Sequence, residues 1–426
     1  MMEGRVRSID ALRGITIFAM ILCAAIGYNS DLPAWMFHCQ VPPPDYVFRP
    51  EVRGITWVDM VFPFFIFSMG AAMPFSLGRK LEKGESIWRV SLGIVKRWAV
   101  LVGFGLAIGH ADSIGKTGLD DTMQALVRFG LWLLMFAALL RTRRRWVNLA
   151  GWLALAAGFA ALHFFCGLPL SLKQNDCIII LLSAVALLGG FAWLFTRESR
   201  RLRLLLWLVV IAMKLIGWDF AQYLVIALPA TIVGDLLRRP SDGIPSRFAL
   251  SSIPAILAVF VQLWGLYTRN VALDAAMTFA LAVAFALLTF RDRCRAAQVG
   301  WMGFALLLAG IAFDPLDGGI AKDYCNMSYL LVTCGQASLV LYVLMWAESR
   351  RPLSTNFTML GRNPMIAYNI AWFVICPFLS AVGVMQWMYG LSAGSQFFGL
   401  IQGVVITLLM MAATNLFTEF KIYLRS

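Results

Sequence analysis

Apolar runs long enough to cross a bilayer recur along this chain, and no stretch between them reaches 30 residues. A spanning α-helix needs about 17–25 such residues. Candidate runs fall near residues 12–29, 55–77, 92–110, 122–140, 146–166, 177–196, 202–217, 222–237, 249–267, 272–290, 299–313, 327–347, 363–383 and 397–418. The runs at 202–217 and 222–237 are short and also read as a broken pair, which would leave 12 crossings. Of all residues, 60% are hydrophobic and 14% charged, whereas a soluble protein averages about 45–50% and about 25%. One soluble core cannot bury that excess, and the same figures exclude disorder, collagen and a small disulfide scaffold. The expected fold is an all-α polytopic membrane helix bundle of about 14 (12–14) transmembrane helices, a single domain over residues 1–426.

The formal net charge of +13 reports topology rather than a nucleic-acid partner. Cytoplasmic loops are enriched in Lys and Arg, and numbering alternate loops as inside collects 25 of the 36 here, from Arg5 and Arg7 through Arg141, Arg143, Arg144 and Arg145 to Lys421 and Arg425. The other loops hold only Arg49, Arg53, Lys116, Lys173, Arg269 and Lys322, among acids that include Asp31, Asp45, Asp314, Asp317 and Asp323. Both termini are therefore expected to be cytoplasmic. The first run lacks a small-x-small cleavage site followed by a soluble domain, so it is expected to remain as a helix. The eight cysteines form no CxxC and no metal-ligand spacing. Free thiols are expected, with an outward disulfide as the alternative, and no metal is implied.

Ionisable residues inside apolar runs mark sites or partners. Asp10 and Arg13 share a face at the mouth of the first helix, and an anchoring ion pair is the ordinary alternative. Asp59 stands one turn into the second helix, four residues before Pro63, which frees a backbone carbonyl. Arg128, with Gln124, lies near the outer end of the fourth. Lys214 has the position of a snorkelling lysine. All three histidines, His38, His110 and His163, map to outer ends, and His38 follows the aromatic segment Pro33–Phe37 in the longest outer loop. A second polar loop runs Asp314-Pro-Leu-Asp317-Gly-Gly-Ile-Ala-Lys322-Asp323, then Asn326, Ser328 and Tyr329. On the inner side Asn363 reads as a helix cap ahead of Pro364.

Together these segments resemble one family. Arg7-Ser-Ile-Asp-Ala-Leu-Arg-Gly14 is similar to the R-S-x-D-x-x-R-G opening of the heparan-α-glucosaminide N-acetyltransferase family of transmembrane acyltransferases. Residues 54–70, G-I-T-W-V-D-M-V-F-P-F-F-I-F-S-M-G, resemble its second helix. Asp317–Tyr329, Gly361–Pro364 and, more faintly, Gln124–Arg128 resemble later elements. The resemblance implies use of acetyl-CoA at the cytoplasmic face and acetylation of an amino-sugar or glycan acceptor across the membrane. The family's active histidine matches His38, with Cys39–Arg53 reading as an insertion behind it.

On this reading the catalytic residues are His38, Asp59 and Lys322. Asp10, Arg13, Arg128 and Asn363 would serve the coenzyme A donor, and Asn326, Ser328 and Tyr329 the saccharide acceptor. His38 would act as general base or transient acyl carrier, and Lys322, Tyr329 or Asn326 would meet the developing oxyanion. Membrane lipid is the solvent, a bacterial inner membrane is the expected location, and multi-helix enzymes of this type often dimerise. The alternative function is a secondary transporter of a small polar solute, which intramembrane charges also suit.

Overall fold

A computed structural model describes residues 6–140, 145–168, 171–173, 175–240 and 242–424. Arg5, Arg141, Arg143, Arg144 and Arg425 of the charge pattern lie outside the described residues, as does the side chain of Arg145. The helices are α1 (Arg7–Ala25), α2 (Trp57–Glu82), α3 (Ile87–Asp112), α4 (Asp121–Leu139), α5 (Arg145–Cys166), α6 (Cys177–Thr196), α7 (Arg200–Leu215), α8 (Leu224–Arg238) and α9 (Phe248–Tyr267). They continue as α10 (Val271–Thr289), α11 (Arg295–Phe313), α12 (Met327–Arg350), α13 (Thr355–Arg362), α14 (Pro364–Ile370), α15 (Cys376–Ala381), α16 (Val384–Ser392) and α17 (Gln396–Glu419). A π-helical turn, Ala371–Ile375, joins α14 to α15. Among the described residues extended pairing is confined to two isolated bridges, Gly54 with Ala321 and Leu140 with Leu424.

The chain is a polytopic membrane helix bundle: among the described residues 13 helical segments, counting α14–α15 as one, are long and apolar enough to span. The expected run at 202–217 is the one that falls short. Its helix, α7, has 16 residues, about 24 Å of rise against a hydrocarbon core of about 30 Å. In lipid every backbone N–H and C=O needs an internal partner, so helices carry most of the chain. Their outward faces are apolar: Leu149, Leu153, Phe164 and Phe165 are all exposed.

Contacts divide the chain into two compact units, each discontinuous in sequence. The first takes residues up to 20, then 33–91 and 188–361. In it α12 packs on α11, α9 and α2, and α2 packs on α8. Every residue of α12 from Met327 to Leu339 is buried, so that stretch has no face open to solvent or lipid. The N-terminal segment of α1 is held by polar contacts. Ser8 N–H donates to Glu348 Oε2 at 3.0 Å, and Arg13 donates to the carbonyls of Gly361 at 3.1 Å and Ser68 at 3.0 Å. Asp10 stands 3.6 Å from Arg13.

The second unit takes 21–32, 92–187 and the residues from 362. There α4 packs on α5 and α15, and α16 on α17, around a core of Ala25, Met385, Met388 and Ile406. Polar groups pair across its helices: Trp132 Nε1 donates to Asn369 Oδ1 at 3.0 Å, and Tyr368 donates to Asp176 at 2.7 Å.

Two motif glycines make a backbone crossing in the first unit. A Cβ on Gly14 would stand 1.9 Å from the Phe357 carbonyl oxygen, and one on Gly361 would stand 1.9 Å from the Asp10 carbonyl oxygen. In each case a backbone atom is the obstacle, so relief requires α1 and α13 to move apart. Gly361→Ala is expected to destabilise the protein by about 1–3 kcal/mol through overpacking, read as a lower thermal midpoint in detergent. An unchanged midpoint would show that the crossing is not close-packed.

Candidate active site

Asp59 is the third residue of α2, and its carboxylate is engaged by the start of that helix. Thr56 caps α2, and Thr56 with Asp59 forms a reciprocal capping box. Asp59 Oδ2 accepts the Thr56 backbone N–H at 2.9 Å, satisfying a donor that the first turn leaves without a helical partner. The same oxygen accepts the Cys39 N–H at 3.3 Å, and the Thr56 hydroxyl donates to the Phe37 carbonyl at 2.8 Å. Three consecutive loop residues, Phe37, His38 and Cys39, are thus pinned to the first turn of α2.

His38 completes the set: its Nδ1 lies 2.7 Å from Asp59 Oδ1. A carboxylate only accepts, so Nδ1 carries the hydrogen and Nε2 keeps the lone pair. Asp59 therefore orients the ring and selects its tautomer. Its side chain is fully buried, whereas that of His38 is 32% exposed.

Pro63 frees a carbonyl, as expected, and the structure identifies which group takes it. Proline has no N–H to give the residue four positions earlier, and that residue is Asp59. The Tyr329 hydroxyl donates to the Asp59 carbonyl at 2.7 Å. Tyr329 is buried, so both the backbone and the side chain of Asp59 are held from outside its helix.

Lys322 reaches the same pair from the loop between α11 and α12. Its Nζ is 3.2 Å from His38 Nδ1 and 4.0 Å from Asp59 Oδ1. Since Nδ1 already points its hydrogen at Asp59, Lys322 acts on the pair as a charge rather than as a bonded donor.

That loop is itself built. Arg269 grips Asp314 with two 2.9 Å bonds, and Asp314 Oδ1 accepts the Ile320 N–H at 2.7 Å. Asn326 caps α12, donates to the Gly319 carbonyl at 2.8 Å and accepts from the N–H groups of Ala321 and Tyr329 at 3.2 Å each. Gly54 N–H donates to the Ile320 carbonyl at 2.8 Å, tying this loop to the one that carries His38.

Of the residues singled out in the sequence, His38, Asp59, Lys322 and Tyr329 come together, with Asn326 and Ser328 shaping the loop beneath. Ser328 Oγ donates to Asn326 Oδ1 at 3.1 Å, and its N–H donates to Asp317 at 2.6 Å. Asp10 and Arg13 belong to the α1–α13 crossing. Arg128 lies in the second unit, where its charge acts on Asp112. Asn363 occupies the capping position of α14, but its side chain does not cap. It donates instead to the Ile422 carbonyl at 2.8 Å, a correction to the expected cap. Lys214 pairs with Asp219 at 2.5 Å rather than snorkelling alone.

His110 and His163 are bonded to backbone groups of the second unit and are not part of this cluster. His110 donates to the Leu106 carbonyl at 2.7 Å and accepts from the Ser171 N–H at 3.2 Å, and His163 donates to the Leu168 carbonyl at 2.7 Å. Thr56 and Arg269 help to build this cluster, and sequence reasoning missed both. Thr56 was legible in the T-x-x-D capping pattern, whereas nothing local marks Arg269 as the partner of Asp314.

All eight cysteines are free. Burial, reinforced by the charge of Asp59, pushes the Cys39 thiol up to about 12, so it stays protonated at neutral pH and is a poor nucleophile. Among the described residues no group of three metal-ligating side chains occurs.

A family model described as "Domain of unknown function (DUF5009)" matches residues 5–226, just over half of the chain. Among curated proteins, human heparan-alpha-glucosaminide N-acetyltransferase is 32% identical over 104 residues. That match spans 24% of this chain and 14% of the length of the human protein.

Two outcomes check the geometry. Tyr329→Phe strands the Asp59 carbonyl and should cost about 1–3 kcal/mol. In a Pro63→Ala background that cost should shrink, because the alanine restores the helical N–H, and equal costs in both backgrounds would contradict the assignment. Maleimide labelling at pH 7.5 should modify the exposed Cys177 and leave Cys39 intact by mass spectrometry. Rapid labelling of Cys39 in folded protein would show that its thiol is not buried as described.

Proposed function

The chain belongs to the DUF5009 family, and from that premise we propose that it is a membrane-bound acyltransferase moving an acetyl group from acetyl-CoA to an amino-sugar or glycan acceptor. The observation that carries the reading is the His38–Asp59 pair, with an ammonium 3.2 Å from the same imidazole. The partial similarity to a human N-acetyltransferase supports it.

In the direct route, His38 Nε2 takes a proton from the acceptor amine as its nitrogen attacks the thioester carbon. A C–N bond forms, and the carbonyl oxygen becomes an oxyanion that the Lys322 ammonium stabilises. Collapse breaks the C–S bond, and the departing thiolate takes the proton back from the imidazolium. In the covalent route, Nε2 attacks the thioester carbon and the C–S bond breaks to release coenzyme A thiolate; the acceptor amine then attacks the acyl-histidine, the Nε2–C bond breaks, and the amine's proton passes to the thiolate. Both routes need the tautomer that Asp59 selects.

The basic loops and both termini would face the cytoplasm, where the donor is available, with the His38 and Lys322 loops on the opposite side of a bacterial inner membrane. Arg13 bonds the Ser68 carbonyl, about 14 Å along α2 from Asp59. A pantetheine arm, comparable to about five extended residues, covers roughly 17 Å. Donor phosphates near the level of Arg13 would thus leave the thioester within reach of His38, which supports Asp10 and Arg13 as donor-side residues. The acceptor would meet the loop that Asn326 and Ser328 shape.

Purified protein in vesicles, given radiolabelled acetyl-CoA and a glucosamine-terminated acceptor, is expected to transfer label. His38→Ala should lower transfer about 10²–10⁴-fold while leaving coenzyme A binding nearly intact, and Lys322→Met should lower it about 10²-fold. No transfer across a broad acceptor panel together with no coenzyme A binding would falsify the acyltransferase reading. Full activity in His38→Ala would remove His38 from the chemistry.

A further inference from the structure

The first unit contains a second built site, at the other end of α2. A cavity of about 660 Å³ is lined by Arg197, Arg200, Arg201, Arg238 and Arg239 with three acids, Glu82, Glu198 and Asp235. Each acid is already taken. Glu198 pairs with Arg197 at 2.6 Å, and Glu82 pairs with Arg238. Asp235 is held from behind by the fully buried Arg203 and by Trp193 Nε1 at 3.1 Å.

Arg200, Arg201 and Arg239 are left with no carboxylate partner among the described residues. Arg200 Nη2 is buried and bonds to nothing there. Five guanidinium groups line the cavity against three carboxylates, and the buried Arg203 stands behind Asp235, so the cluster lacks anionic charge. The setting is also apolar. Next to these arginines α7 presents Leu204, Leu205 and Leu208, all exposed, and Phe195 is exposed just before them.

Guanidinium forks match phosphate oxygens, and basic pockets between membrane helices recognise anionic headgroups. We propose that this cavity binds a pair of phosphate groups presented by the headgroup of an anionic phospholipid, with Arg200, Arg201 and Arg239 as its ligands. The same chemistry exists at the nucleotide end of coenzyme A, but reach disfavours that source. From Asp59 to Glu82, at this cavity, α2 rises about 35 Å, roughly twice the length of a pantetheine arm. A donor seated here would hold its thioester far from His38, whereas a lipid headgroup needs only the apolar face beside it.

The test uses the full chain in neutral detergent, titrated with cardiolipin, with phosphatidylcholine, and separately with adenosine 3′,5′-bisphosphate. Thermal unfolding and native mass spectrometry give the readouts. Cardiolipin is expected to bind and raise the midpoint, and phosphatidylcholine to do neither. Arg200→Gln with Arg239→Gln should weaken cardiolipin binding about tenfold or more, a tenfold change being about 1.4 kcal/mol. Arg201→Gln, an exposed position, should give a smaller loss with the fold intact. His38→Ala should bind cardiolipin as the parent does, which separates this site from acetyl transfer. Equal cardiolipin binding in parent and Arg variants, or an equal response to phosphatidylcholine, would overturn the site. Saturable binding of the bisphosphate that competes with cardiolipin and is lost in the Arg variants would overturn the lipid as its occupant.

Discussion

A single buried carboxylate, that of Asp59, organises the candidate site. Placed at the third position of α2, it satisfies orphan backbone donors at a helix start, which a membrane helix can leave unpaired only at high cost. Having met that structural need, it has one oxygen left for His38. The site is therefore built from the capping requirement of a helix. One oxygen caps α2 and the other orients the imidazole, which couples the two roles in one position. A proline one turn on deepens the coupling. Pro63 withdraws the helical partner of the Asp59 carbonyl, and Tyr329 supplies a replacement from α12.

Lys322 is positioned by a different device. Its loop leaves regular structure altogether, and its backbone is held by hydrogen bonds to Asp314, Asn326 and Gly54. Arg269 neutralises Asp314 through a bidentate pair, so the loop's acids do not all compete for the Lys322 ammonium. The outcome is one cation at the imidazole and another committed to the scaffold. At the opposite end of α2 the balance is reversed. The cavity near Glu82 keeps guanidinium charge in excess of its carboxylates, although both ends belong to one helix.

Much of the site was legible in the linear chain. Histidine is rare here, His38 stands in the longest outer loop, and Asp59, Lys322 and Tyr329 sit in motif-like segments. What sequence hid was pairing. His38 and Asp59 are separated by 21 residues and Lys322 and His38 by 284, and no local rule links such positions. Thr56 was visible as a capping residue but not as the tie between two loops. Asn363 shows the opposite error: its position is that of a cap, yet tertiary contacts draw its side chain to the Ile422 carbonyl. Arg13 looks equally suited to a phosphate and to a carbonyl, and only the helix crossing at Gly14 and Gly361 reveals the carbonyls it holds.

By itself the sequence determined that this chain is a bundle of membrane helices and, to within about a turn and a half, where most of its spanning segments lie. Burial of apolar runs in lipid is a local property, counted residue by residue along the chain. It also marked two runs, 202–217 and 222–237, as short, and of these only the first, α7, falls short of a span. The tertiary structure alone decided which polar groups meet. Hydrogen bonds and ion pairs depend on distances of a few ångströms between residues remote in sequence, and many polar residues compete for each partner. The separation of a histidine-carboxylate-lysine cluster from a phosphate-ready arginine cavity, along the length of α2, is a consequence of packing that no hydropathy pattern encodes.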